Sequence, residues 1–209
     1  RDVFRLSHPV PVLSAQKDLF SYAVGKNEAP KNELVKAFEK AAKTENGKLL
    51  AGLIREYSLT WEMVPTERLN EPEVLKALLE NMPLTAMIRN LNRFATAGLT
   101  KGNSETTKLI VSRLTDKEFV QKSRIHPVNV VNSMLTYSNG TGFRGGKTWE
   151  PNQNIVDALD TTFYLATESL VPTNKSILVA VDVSGSMQHA VLNSAMNAAQ
   201  VANVLSLTI

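Results

Sequence analysis

Apolar residues recur every three or four positions through most of the first 170 residues, and this spacing predicts a series of short amphipathic helices. One stripe joins Leu34, Val35 and Phe38. Similar stripes or helix signals predict further helices over 49–57, 72–82, 84–95, 105–114, 116–123, 127–137 and 152–168. Because the connections are short, neighbouring helices should pack against each other, as the helix pairs of an α-solenoid do. The sequence therefore predicts a mostly α-helical fold.

Charge is distributed unevenly along the chain. Residues 85–147 hold 10 Lys or Arg and 3 Asp or Glu, a net charge of +7, whereas residues 148–209 have a net charge of −4. A basic middle segment indicates an anionic partner, although a solvated surface has the same composition. The absence of cysteine excludes disulfides and thiolate metal sites. No apolar stretch is long enough for a membrane span, and we expect no membrane partner and a cytoplasmic location.

The pattern changes near residue 171. The run SILVAVD, residues 176–182, has the length and composition of a buried strand, and the segment from Ala190 onward is alanine-rich and helical in character. A strand, a polar turn and a helix form the first unit of an α/β domain. One strand and one helix cannot complete a sheet, so we expect the chain to be a fragment. The expected domains are 1–170, helical repeats, and 171–209, the start of the α/β domain.

Asp182, Ser184 and Ser186 form the pattern D-x-S-x-S directly after the predicted strand. Ligands of open α/β sheets bind at the carboxyl ends of strands. A carboxylate and two hydroxyls are hard oxygen ligands, which Mg²⁺ prefers. The alternative is that one of the serines caps the following helix. No nucleophile elbow or P-loop accompanies the pattern, and we expect no enzyme activity.

The stretch 139–151, NGTGFRGGKTWEP, has four glycines and no helical periodicity. We interpret it as an ordered surface loop, because long loops without secondary structure are often functional. Phe143 and Trp149 could stack on bases, as aromatic residues do in single-strand binders, or could pack the loop onto the helices. Packing is the favoured interpretation.

Several segments together resemble a known family. VAVDVSGSM is similar to the metal-ion-dependent adhesion site of a von Willebrand factor A domain. Other segments resemble the Ro ribonucleoprotein family, or TROVE module: FRLSHP, MPLTAMIRNLNRF, GNSE, RIHP and YSNGTGFRGGKTWEPNQNIVDALD. The resemblance implies a monomeric ring of HEAT-like helical repeats followed by a Rossmann-like von Willebrand A domain. Of this A domain, the sequence holds the first strand and helix.

The resemblance also implies a non-catalytic RNA-binding protein. Members of the family bind small non-coding Y RNAs and the single-stranded 3′ ends of misfolded RNAs in RNA quality control, in some cases with an exoribonuclease. Asp182, Ser184 and Ser186 match the first metal-binding segment of the family, so the implied cofactor is a divalent cation, Mg²⁺, at an incomplete site. His8 matches a histidine implicated in RNA binding.

Further RNA-binding candidates come from the basic pattern of the chain: Arg5, Arg89, Arg93, Arg144 and Lys147. Lysines and arginines neutralise phosphates, and such binding weakens with salt. Arg89 and Arg93 could equally form a solvated helix face, and His126 is interpreted as structural. A different class of function also stays open, a metal-dependent protein-adhesion module on a helical scaffold. That alternative leaves the basic segment 85–147 unexplained.

Overall fold

The computed structural model describes residues 2–26, 31–142, 146–172, 174–192 and 194–208, and at positions 2, 4 and 5 the backbone alone. Its α-helices in chain order are α1 Asp2–Ser7, α2 Ser14–Ala23, α3 Glu33–Lys43, α4 Gly47–Tyr57, α5 Pro72–Glu80, α6 Leu84–Arg89, α7 Leu91–Thr96, α8 Glu105–Leu114, α9 Lys117–Ser123, α10 Pro127–Ser138, α11 Gln153–Thr167 and α12 Ala198–Ser206. The expectation of a mostly α-helical fold is confirmed.

The chain forms two compact units, Arg1–Asn81 and Met82–Ile209. In the first unit, α4 packs against α3 and α5. The core includes Leu50, Ile54 and Leu75, each at most 1% exposed. Asn46 caps α4, because its side-chain oxygen accepts hydrogen bonds from the backbone N–H groups of Lys48 and Leu49.

An arginine stabilises the turn between α3 and α4 in the first unit. Arg68 donates to both carboxylate oxygens of Glu71, and its Nη1 donates to the backbone oxygen of Thr44 at 2.8 Å. The hydrogen bonds that Arg68 donates to Glu71 raise the pKa of Arg68 further above its ordinary value. An added Cβ at Gly47 would meet the end of the Glu71 side chain, which would have to shift.

In the second unit, α11 packs against α8, α9 and α10. Thr162 is fully buried in α11, and its hydroxyl donates to the backbone oxygen of Leu114 at 2.8 Å, which links α11 to the end of α8. Phe94, Ile110 and Ile155 are also fully buried. These contacts hold α6–α11 as the packed body of this unit.

The prediction of a single helix over 84–95 is wrong in one detail, because the helix breaks at Asn90. The side-chain amide of Asn90 donates to the backbone oxygen of Ala86 at 2.9 Å. Asparagine competes with the helical backbone for hydrogen bonds in this way. The break separates Arg89, the last residue of α6, from Arg93 in α7.

The predicted strand over 176–182 does not form. Residues 176–182 have no regular structure, and Leu178 is 95% exposed. A strand needs a partner for its backbone hydrogen bonds, and the described residues contain two isolated bridges, Thr141–Thr148 and Ala190–Asn197, and no strand.

The helix expected from Ala190 begins only at Ala198. Asn197 and Gln200 form a reciprocal capping box, in which each side chain accepts from the backbone N–H of the other. This pair fixes the start of α12. Among the described residues, no helix is both long and apolar enough to cross a membrane.

Candidate nucleic-acid interface

A small polar pocket lies in the second unit between the α6–α7 corner and α10. Its volume is about 240 Å³, and its polar lining comes from Arg89, Asn92, Asn132, Ser133 and Thr136. Pockets for drug-sized ligands measure about 300–1,000 Å³, so this one has room for one base or one sugar-phosphate unit. The described lining residues include no carboxylate. The exposed Arg89 therefore gives the pocket a positive charge, which suits a phosphate group.

Trp149 and Tyr137 form the wall of the pocket, and both are buried. The Nε1 of Trp149 donates to the backbone oxygen of Tyr137 at 2.8 Å, and the two rings stack with their centroids 6.5 Å apart. This arrangement agrees with the favoured interpretation that Trp149 packs the loop onto the helices. Base stacking on its face is not available, since only 8% of the residue is exposed.

The glycine-rich loop is ordered at its base. The backbone N–H of Trp149 donates to the oxygen of Gly140 at 2.9 Å, and that of Gly142 donates to the oxygen of Lys147 at 3.3 Å. Gly140 has a φ of 65°, a conformation that glycine adopts without a steric penalty. The loop therefore leaves α10 and returns beside it, with Lys147 exposed.

Asn152 fixes the chain after the loop. Its side-chain nitrogen donates to the backbone oxygens of Thr100 and Gly102, both at 2.7 Å, and its side-chain oxygen caps α11. The backbone N–H of Asn152 donates to the Tyr137 hydroxyl at 3.2 Å. Through Asn152, the wall of the pocket is thus tied to the segment 100–102 and to the start of α11.

The structure separates the predicted RNA-binding residues. Arg89 lines the pocket, Arg93 is half-buried in α7, and Lys147 is exposed in the loop. His8 belongs to the first unit, where it is exposed with a φ of 43°. The side chain of Arg5 and the whole of Arg144 and Phe143 lie outside the described residues. His126 caps α10, because its Nδ1 accepts from the backbone N–H of Val128, which suits the structural interpretation.

Two functional candidates escaped the sequence reasoning, Asn92 and Asn132. Asn132 lines the pocket and also accepts hydrogen bonds from the Ser194 hydroxyl and the Ala195 backbone N–H, at 2.9 and 2.8 Å. It therefore connects α10 to the segment before α12. The sequence did offer one sign of Asn132, because an asparagine is unusual within an otherwise apolar helical segment such as VNVVNSM, residues 128–134.

The three predicted metal ligands lie close together. Asp182 Oδ1 accepts from the backbone N–H of Ser184 at 2.8 Å, and the hydroxyl oxygens of Ser184 and Ser186 are 2.8 Å apart. All three residues are exposed. The hydrogen bond from the Ser184 backbone, followed by that from its side chain, lowers the pKa of Asp182 below its ordinary value of 3.8.

This acid–hydroxyl loop, residues 182–186, satisfies the requirement of a hard cation for oxygen ligands. It offers one carboxylate and two hydroxyls. No cluster of three or more His, Cys, Asp or Glu occurs in the part of the chain that the structure describes. A cation bound here would therefore retain coordination positions for water or for an acidic group from another molecule.

Comparison with known proteins places these features in a family. The model of the TROVE domain family matches residues 51–139, a range that covers Arg89, Asn92 and all of α10. Residues 51–139 therefore match a TROVE domain, and most of the chain is similar to Ro proteins.

Two relatives carry the description RNA-binding protein RO60. The one from Caenorhabditis elegans is 39% identical over 175 residues, which are 83% of this chain and 27% of the relative. The one from Deinococcus radiodurans is 35% identical over 191 residues, which are 89% of this chain and 36% of the relative. The crystal structure of the Deinococcus radiodurans RO (RSR) protein superposes with a TM-score of 0.85 and 31% identity, over 99% of this chain and 43% of that one. This chain therefore spans less than half the length of each of these relatives.

Proposed function

We propose that this chain is the part of a Ro protein that binds RNA, without chemical turnover of the RNA. The observation that carries the proposal is the pocket beside α10, in which Arg89 supplies charge and Asn92, Asn132, Ser133 and Thr136 supply hydrogen-bonding groups. Arginine pairs with phosphate, while amides and hydroxyls bond to sugars and base edges. Support also comes from the relatives, which are described as RNA-binding proteins.

The proposed ligands are small non-coding Y RNAs and the single-stranded 3′ ends of misfolded RNAs, in RNA quality control in the cytoplasm. The size of the pocket favours a single-stranded segment, since a base must leave its stack to enter it. An exoribonuclease is the proposed protein partner. In this proposal, residues 1–170 form part of a monomeric HEAT-like ring, and residues 171–209 begin the von Willebrand A domain.

The proposed cofactor is Mg²⁺, held by the Asp182 carboxylate and the hydroxyls of Ser184 and Ser186. Their exposure and mutual proximity support this assignment. The cation would supply a Lewis-acidic point of attachment for a carboxylate or phosphate. The second candidate function, a metal-dependent protein-adhesion module, rests on the same three oxygen donors.

The test is a binding isotherm between the full chain and a stem-loop RNA with a single-stranded 3′ tail, over a salt series. We expect binding that weakens steeply with salt, and the RNA should remain intact. Arg89→Ala should weaken binding about three- to tenfold and reduce the magnitude of the salt slope by about 0.7, the value for one contact to a single strand.

The matched control is Lys122→Ala, which removes the same charge from an exposed position in α9, away from the described lining of the pocket. Equal losses in the two variants would refute a specific role for the pocket. No binding by the parent chain at low salt would refute the RNA-binding proposal. Loss of a protein partner on chelation or in Asp182→Asn, without RNA binding, would favour the adhesion module.

A further inference from the structure

The side-chain amide of Asn132 is held in one orientation. Its Oδ1 accepts from the Ser194 hydroxyl at 2.9 Å and from the Ala195 backbone N–H at 2.8 Å. A backbone N–H only donates, so the atom that faces Ala195 must be the amide oxygen and not the nitrogen. The Ser194 hydroxyl is oriented as well, because its oxygen accepts from the backbone N–H of Met196 at 3.0 Å. Its proton is therefore left for Asn132.

The amide nitrogen of Asn132 is left to bind a ligand. Within the described part of the chain, no group accepts a hydrogen bond from Nδ2, and no buried side-chain nitrogen or oxygen lacks a partner. Nδ2 must therefore be accessible to solvent. Asn132 is half-buried and lines the pocket beside α10. Since Oδ1 is taken by the segment before α12, Nδ2 is the atom that Asn132 presents to the pocket.

The segment that fixes this amide forms a closed turn. We call it the α12 turn, residues 189–192 and 194–197. The backbone N–H of Val191 donates to the oxygen of Met196, and that of Ala198 donates to the oxygen of His189, both at 3.1 Å. Met196 is 2% exposed, and α12 packs against α10. The orientation of the Asn132 amide is thus set by a turn 62 positions along the chain.

The orientation decides which chemical groups the pocket accepts. The Arg89 guanidinium and Nδ2 of Asn132 can only donate hydrogen bonds. The Thr136 hydroxyl has its proton engaged, because it donates to the backbone oxygen of Asn132 at 2.7 Å. Two donors in one pocket favour a ligand atom that accepts, such as a phosphate oxygen or a base carbonyl oxygen. The opposite amide orientation would place an acceptor there and repel the same atoms.

We propose that the α12 turn sets the hydrogen-bonding character of the pocket, with Ser194 as a positioning residue that directs Nδ2 of Asn132 toward an acceptor oxygen of RNA. This inference rests on the proposed RNA-binding function. Ser194 does not contact the RNA and acts through Asn132. The pocket on α10 and the chain after the acid–hydroxyl loop then form one functional unit.

The first experiment compares Asn132→Asp with Asn129→Asp in the full chain, using the tailed stem-loop RNA of the salt series. Aspartate at 132 keeps an oxygen for Ser194 and Ala195 and replaces the donating NH₂ by a carboxylate oxygen, so binding should weaken about tenfold or more. Asn129→Asp makes the same change at an exposed position of α10 outside the described lining, and it should weaken binding less than about threefold. The melting temperature of each variant should stay within about 3 °C of the parent.

The second experiment removes the positioning hydroxyl without a change of charge. Ser194→Ala should weaken RNA binding about threefold or more, because one of the two bonds that hold the amide is lost. Ser206→Ala in α12, whose hydroxyl donates to the backbone oxygen of Asn203, is the control and should not change binding. In an Asn132→Ala background, Ser194→Ala should change binding less than about 1.5-fold, since the amide is gone. Circular dichroism verifies that each variant is folded.

The two sources of an acceptor oxygen are separated by a tail of abasic nucleotides, which keeps the phosphates and removes the base carbonyls. A phosphate contact predicts that Asn132→Asp weakens binding of both tails. A base contact predicts weakening with the base-bearing tail alone.

Equal weakening by Asn132→Asp and Asn129→Asp, or no weakening by Asn132→Asp, would overturn this inference. An equal effect of Ser194→Ala with and without Asn132 would overturn the positioning role. Both results leave RNA binding by the parent chain intact, whereas failure of the parent chain to bind would overturn the proposed function as well. Asn132→Asp keeps the contacts to the α12 turn, so it tests the donor separately from the packing lost in Asn132→Ala.

Discussion

The glycine-rich loop, residues 139–151, and the apolar segment, residues 176–182, contradict the usual association of hydrophobicity with burial. The loop has four glycines, yet its base is closed by backbone hydrogen bonds and by the buried Trp149. The apolar segment has the composition of a core strand. Yet Leu178 within it is 95% exposed, and Val183, which directly follows it, is 88% exposed. The difference is that the loop finds its hydrogen-bond partners nearby in the sequence, whereas a strand needs partners from elsewhere. Local hydrogen-bond partners, rather than apolar composition, distinguish the loop from the exposed segment without regular structure.

The largest expected effect is that of Trp149→Ala. Loss of the buried indole and of its bond to Tyr137 should reduce the free energy of unfolding of the second unit by about 3–5 kcal/mol. Chemical denaturation followed by circular dichroism measures this. Tyr164→Ala, at a position that is 60% exposed, is the control and should cost less than about 1 kcal/mol. Equal costs would mean that the loop does not depend on Trp149.

Gly140→Ala tests the backbone of the loop. Alanine at a φ of 65° is strained, and its Cβ would lie 2.7 Å from the backbone oxygen of Trp149, so we expect a loss of about 2 kcal/mol. The control is Gly142→Ala, where an added Cβ meets nothing within 4 Å. Thermal unfolding of the two variants gives the comparison, and an unchanged melting temperature in Gly140→Ala would contradict the ordered loop.

Leu178→Ser tests the exposed segment. Because 95% of Leu178 is exposed, its replacement should change the free energy of unfolding by less than about 0.5 kcal/mol. Equilibrium denaturation measures the change, with Leu159→Ser in the core as the destabilised reference. A loss above about 1.5 kcal/mol at Leu178 would show that the segment is packed in solution.

The smallest effect concerns the acid–hydroxyl loop that follows this segment. Carbon NMR should show that the Asp182 carboxyl titrates with a pKa below 3.8. Ser184→Ala should raise that pKa only part of the way toward 3.8, because the backbone N–H of residue 184 still donates to the carboxylate. Since the pKa is lowered in the folded state, its contribution to stability is present above the ordinary value and is lost as the pH falls through the lowered one.

The control for that titration is Ser206→Ala, whose hydroxyl donates to the backbone oxygen of Asn203 in α12. It should leave the pKa of Asp182 unchanged. An ordinary pKa in the parent chain would mean that the hydrogen bond from Ser184 does not persist.

The sequence alone predicted most of the helices of the chain. The stripe of Leu34, Val35 and Phe38 lies in α3, and the proline after Glu71 begins α5, because helical periodicity and proline placement are local properties. The proximity of Asp182, Ser184 and Ser186 was equally predictable from the sequence, because these residues are only two positions apart from one to the next. The break at Asn90 escaped prediction because it depends on one side-chain hydrogen bond.

Only the tertiary structure decided the places where distant residues meet. Asn132 and Ser194 are joined across 62 positions, and Arg89 shares a pocket with Thr136 and Trp149. Periodicity reports which face of an element is apolar, but it carries no information about which element covers that face. The helices were therefore determined by the sequence pattern, while the candidate RNA pocket beside α10, and the exposure of residues 176–182, were determined by packing and by the availability of hydrogen-bond partners.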